Sequence, residues 1–238
     1  MQSPMRNTPV SKCLDLASHS VCMFGKFSSH PAFVALEEKM SAGAAELAAA
    51  QAEYEKAVKA ILPRRVDIKY ENYLSDRRIR LSQQKIEIAD SKRNGRIASL
   101  VFPEGSAPIT RLVGPSQVEA MINLEGRLAA AQSLWSEAEA EKVEISAFRQ
   151  RYQAALENRQ NAVQKARDLR AARNAAKDKF LTMYAEVMAR VQAELPRDKV
   201  TQELFFDEVR TRSALAIADT DEGDEASSET TEGQAQGA

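Results

Sequence analysis

The sequence predicts an all-α fold, an elongated antiparallel helical bundle or coiled coil, and three observations carry that prediction. Alanine supplies 39 of the 238 residues, while Val, Ile, Leu and Phe together supply only 50. That is enough apolar surface for narrow stripes on helices, but thin for a buried parallel sheet. Abundant Ala, Glu, Lys, Leu, Arg and Gln is the composition of long helices. Finally, Gly and Pro are scarce in the body of the chain and concentrate at Gly95, Pro103, Gly105, Pro108, Gly114 and Pro115.

Residues 1–30 carry Pro4, Pro9, Gly25 and several serines with no sustained period, and read as a mobile N-terminal leader. Their apolar patch is broken by Asp15 and His19, so neither a secretory signal nor a spanning helix is expected. No membrane association follows, and a cytoplasmic location is the default.

The first helix is predicted over about 31–62. Ser28 and Ser29 precede it, Pro31 sits where a first helical turn tolerates it, and Glu37 and Glu38 lie near the positive end of its dipole. Phe33, Leu36, Met40, Gly43, Leu47, Ala50, Tyr54, Ala57 and Ile61 alternate steps of three and four. One row is large, and the other turns small after Leu36, which lets a partner helix approach closely. Pro63 is expected to stop this helix, with "PRRVD" as linker. A second helix follows over about 68–93, with Tyr70, Leu74, Leu81 and Ile88 on its stripe and Ile79 and Ile86 off it.

The clustered Gly and Pro residues then mark a connector over 95–114. Two short runs with β-branched character, "IASLVF" and "ITRLV", flank "PEGSAP", which predicts a small β-hairpin. Gly114 as N-cap, Pro115 at the first helical position, and a Val113–Val118 staple open the next helix. From Arg127 to Leu195 there is no Gly or Pro. A turn at "ENRQN", Glu157 to Asn161, is predicted because the stripe of Met121, Leu128, Trp135, Ile145, Tyr152 and Leu156 fades there. That divides the stretch into helices of about 115–157 and 161–195, the latter ended by Pro196. A short helix over about 198–217 completes the bundle of residues 31–218.

From Asp219 onward there are seven acidic residues and no basic one, so the chain's net charge of −1 leaves +6 for residues 1–218. Residues 219–238 lack aromatic and large aliphatic side chains and are expected to form a disordered acidic tail.

Chemistry is sparse. Every Cys and His lies at Cys13, His19, Cys22 or His30. Two thiols and two imidazoles suit tetrahedral zinc, but the C-x5-H-x2-C-x7-H spacing fits no structural zinc pattern, so neither metal nor cofactor is expected. The body holds no imidazole and no thiol, the usual general base and the best nucleophile. Glu-x-x-His di-iron pairs cannot be built, and both the P-loop and G-x-G-x-x-G are absent. No catalytic residues are assigned, and an enzyme is not expected.

The expectation is therefore a non-enzymatic helical interaction or scaffold protein with a protein partner or self-association. The connector tip, Leu100, Phe102, Ile109 and Leu112, is the candidate contact site, because a lone hairpin has free edges. The alternative is a nucleic-acid-associated protein that uses basic helix faces: Arg77, Arg78, Arg80, Lys92, Arg93 and Arg96, with Lys85 nearby, and a second basic stretch over 149–179. A weaker third reading treats the hairpin as the β-tongue of an α-helical pore-forming protein. Glu104, Ser106 and Arg111 make that tongue too polar for lipid.

Overall fold

The computed structural model describes residues 3–91 and 95–207. They form eight helices: α1 Val10–Lys26, α2 Pro31–Lys59, α3 Ile61–Ala89, α4 Arg96–Val101, α5 Ala107–Thr110, α6 Pro115–Ala130, α7 Ala138–Glu194 and α8 Lys199–Leu204. No strand occurs among the described residues. The chain divides into two compact units, one built from residues 1–45 and 178–238, the other from residues 46–177.

In the first unit the expected mobile leader is instead a 17-residue helix. Val10, Cys13, Leu16, Ala17, Ser20 and Phe24 are buried on one face of α1, and Asp15, which had broken the apolar run, falls on the exposed side. Such burial offsets the entropy cost that a leader would escape by staying mobile. Aromatic rings join the elements of this unit. Phe205 lies 4.9 Å from both Phe24 and Phe27 and 5.0 Å from Phe33, between ring centroids. Tyr184 packs at 5.8 Å from Phe180 and 5.7 Å from Phe206. The first turns of α2 run antiparallel to the last turns of α7. Lys39 bonds Glu186, and a Cβ on Gly43 would stand 2.4 Å from the Met183 methyl. The small row therefore accommodates a helix of the same chain. Of the predicted 198–217 helix, α8 is the described part, opened by Asp198 accepting the Thr201 N–H at 3.0 Å. Residues 208–217 and the expected tail at 219–238 lie outside the described residues.

In the second unit, α2 and α3 are separated only by Ala60, itself in right-handed helical conformation. "PRRVD" is not a linker. Pro63 sits in the first turn of α3, where its missing N–H costs no intrahelical bond. The stripe on α3 is also turned round. Ser75, Ile79, Ser82 and Ile86 are buried, whereas Tyr70, Leu81 and Ile88 face outward. Small Ser alternates with Ile on the buried face, and the large residues at the other phase are left outside.

The connector is helical. Ile97, Ala98, Val101, Phe102 and Ile109 are buried; the first four follow i, i+1, i+4, i+5 spacing, that of one helix face. Asp90 caps α4 from outside, accepting the Ile97 N–H at 3.2 Å and the Ala98 N–H at 2.8 Å. Gly95 is required there, since a Cβ would lie 2.3 Å from the Asp90 carboxyl carbon. Gly105, at φ 76°, turns the chain between α4 and α5, and the Ser106 N–H donates to Gln83 Oε1 at 2.8 Å. With the hairpin goes the β-tongue reading. These residues join Met121, Leu124, Leu128, Ala131, Trp135, Ala138 and Ile145 in one core with Ile79 and Ile86.

Gly114 at φ 67° is the N-cap of α6, with Pro115 in the first turn, but Val113 is mostly exposed and forms no packed staple. The Gly114 N–H donates to the Tyr152 hydroxyl at 2.7 Å. The chain breaks at 131–137, not at 157–161, and α7 runs unbroken for 57 residues. Between Ala155 and Ala166 on α7, and between Ala57 and Ser75 across α2 and α3, no residue is buried. The fading stripe thus marks a level where none of the described residues of α2, α3 or α7 is fully buried. Helix-forming residues and i,i+4 bonds such as Gln153 to Glu157 at 2.9 Å carry α7 through.

Candidate interaction surface

The most unusual surface of the second unit is the outward face of α3. At 3.6 residues per turn, Leu62, Val66, Tyr70, Tyr73, Leu81 and Ile88 fall within an arc of about 100°. They are 64%, 57%, 59%, 58%, 43% and 77% exposed. The inward face of the same helix is committed to the core through Ile79 and Ile86. An apolar stripe over seven turns that no element of the described residues covers is far more than scattered exposed apolar residues. Arg77, Arg80 and Gln84 lie in the same arc and are exposed.

The predicted basic set is divided by the fold. Arg78 turns inward, its Nη2 2.6 Å from Glu141 Oε2, and Lys85 bonds the other oxygen of the same carboxylate. Glu141 is buried at the start of α7, so these two cations are spent on a structural ion group. Arg77 and Arg80 remain on the outward face, Arg96 is exposed on α4, and Lys92 and Arg93 lie outside the described residues. Asp76 accepts from the buried Gln117 amide at 2.7 Å. Burial pushes the Asp76 carboxyl above its ordinary pKa, with that hydrogen bond acting the other way. In the 149–179 stretch, Arg149 pairs with Glu125 at 2.5 Å, Arg151 with Glu71 at 3.4 Å, and Arg173 lies over the Tyr54 ring at 4.5 Å.

The predicted contact tip is likewise divided. Phe102 and Ile109 are core residues, while Leu100 and Leu112 are 38% and 37% exposed. The four Cys and His residues weighed as zinc ligands do not converge. Cys13 is buried with its thiol toward the Thr8 carbonyl, His19 contacts the Leu204 carbonyl at 3.0 Å, and His30 stacks on Phe33. No group of three metal-binding side chains forms among the described residues. None of the described helices is long and apolar enough to cross a membrane.

Reading α3 by the spacing of Tyr70, Leu74, Leu81 and Ile88 assigned its two faces the wrong way round. The available signal was Ser75-x3-Ile79-x2-Ser82-x3-Ile86, a regular step of four and three. Comparison with known proteins returns no matching family model, no matching curated protein and no matching solved structure.

Proposed function

We propose that this is a non-enzymatic helical interaction or scaffold protein whose contact surface is the outward face of α3. The observation that carries the reading is the row of six large, exposed apolar side chains on one helix face. Covering them removes apolar area from water, the main driving force of association. The polar groups of this unit support the same reading. Glu141, Asp76 and Tyr152 are held by Arg78, Gln117 and Gly114, as structural groups are.

The test is a triple variant, Tyr70→Ser, Tyr73→Ser and Leu81→Ser. Because these side chains are outside the core, helicity and melting should be preserved. Self-association and co-purification of any protein bound to the native chain should be lost. A variant that keeps every association of the parent refutes the assignment.

A second reading rests on a separate observation. Tyr70 and Tyr73 are exposed on the same face as Arg77 and Arg80, which is the combination of stacking and positive charge that single-stranded nucleic acid uses. Retention on single-stranded RNA at low salt, lost with rising salt and in the triple variant, would favour it.

A further inference from the structure

We infer that the outward face of α3 is covered by the same face of a second copy of this chain, packed antiparallel about a two-fold axis near residue 75; this rests on the reading of that face as a contact surface.

The reason lies in the register. The arc is occupied in order by Leu62, Val66, Tyr70, Tyr73, Arg77, Arg80, Leu81, Gln84 and Ile88. Running the same series in the opposite direction about residue 75 brings Leu62 opposite Ile88, Val66 opposite Gln84, Tyr70 opposite Arg80 with Leu81 beside it, and Tyr73 opposite Arg77. Two-fold symmetry makes every one of these layers twice, as an isologous interface requires. The outermost layers then pair Leu62 with Ile88, the next set Val66 against the Gln84 side chain, and the middle pairs tyrosine with guanidinium. Arginine over a tyrosine ring is favourable, and no layer sets arginine against arginine. This chain already uses that contact within one molecule, at Arg173 over Tyr54, 4.5 Å from the ring centre.

Size and composition agree. The stripe spans 26 residue steps, roughly 39 Å of helix. Six large side chains, each more than 40% exposed, and two arginines offer on the order of 800 Å² per copy, the scale of a stable interface. The face carries Arg77 and Arg80 and no acid, and the copy answers these cations with tyrosines. Nucleic acid would leave Leu62, Val66 and Ile88 without a role, since phosphates and bases are met by cations and aromatics.

The test uses the full chain with Cys22→Ser, which removes the exposed native thiol and leaves the buried Cys13 in place. Sedimentation should show a dimer forming at micromolar concentration, and Arg77→Asp or Tyr73→Asp should weaken it roughly tenfold or more. The register is read by oxidative cross-linking. Leu62→Cys mixed with Ile88→Cys should give a cross-linked heterodimer, whereas Leu62→Cys alone should not, because its two copies stand roughly 39 Å apart. Cross-linking of Leu62→Cys to itself would show a parallel arrangement and overturn the inference. So would a protein that stays monomeric to about 100 µM. If that monomer still loses a co-purifying protein in the triple serine variant, the contact surface stands and only the second copy falls. If it loses nothing, both readings fall together.

Discussion

Replacing Arg78 by methionine isolates the energetic weight of the buried ion group at the start of α7. The Glu141 side chain is 3% exposed and is held by Arg78, 11% exposed, and Lys85, 40% exposed. Breaking a buried pair by removing one partner costs about 3–5 kcal/mol, since the remaining charge is stranded away from water. Lys85 stays and recovers part of this, which leaves a loss of about 3 kcal/mol for Arg78→Met. In a chain of this length that corresponds to a fall of roughly 6–12 °C in melting temperature. The double variant Arg78→Met with Glu141→Met removes the stranded charge as well. Lys85 is exposed enough to turn to water, so the double variant should lie within about 1 kcal/mol of the parent. Urea unfolding followed by far-UV circular dichroism gives all three values, and the coupling between the two positions should be about 2 kcal/mol or more. A single-variant loss under about 0.5 kcal/mol, or a double variant in which the losses simply add, would refute this account of the group.

Gly95→Ala would drive a Cβ into the Asp90 carboxylate and release the cap on α4; a loss of about 1–3 kcal/mol in urea unfolding is expected, and Asp90→Ala should match it. Tyr184 supplies a pH test: burial pushes its hydroxyl up to about 12, and the nearby Ser20 hydroxyl donates to the Leu16 carbonyl at 3.1 Å instead. A raised folded pKa means that stability is intact below about 10 and falls by about 2–3 kcal/mol as pH rises through 12; Tyr184→Phe should abolish that fall and be near-neutral at pH 7. Deleting residues 1–28 removes α1 and uncovers Phe33 and Phe205, and should cost about 5 kcal/mol or more by thermal melting. An unchanged melting temperature would show that α1 contributes nothing to its unit.

The first stripe of the chain was legible because its apolar residues keep a regular step of three and four. Phe33, Met40, Leu47 and Tyr54 are all buried, and Gly43 makes room for Met183 as the small row implied. The stripe from Met121 through Tyr152 is buried too, but it is shared between two helices, with Met121 and Leu128 on α6, Trp135 in the break, and Ile145 and Tyr152 on α7. The connector was misread because β-branched residues were weighed above position. "IASLVF" buries Ile97, Ala98, Val101 and Phe102, a helical spacing that alternation cannot produce. The break at 131–137 carried a signal as well, Ser136 followed three residues later by Glu139 just ahead of α7, the pattern of a capping box.

What the sequence determined by itself is helix: composition, the absence of Gly and Pro over long stretches, and stepwise apolar spacing are local properties, and local hydrogen bonds satisfy them. Which face of a helix turns inward is another matter. On α3 both phases carry apolar residues, Tyr70, Leu81 and Ile88 on one and Ile79 and Ile86 on the other. Only the tertiary structure chose between them, because Ile79 and Ile86 enter the core shared with α4, α5 and α6, and that leaves the other phase outside. The candidate surface is what that choice left outside. It could not be seen without knowing which of two apolar faces the core would take.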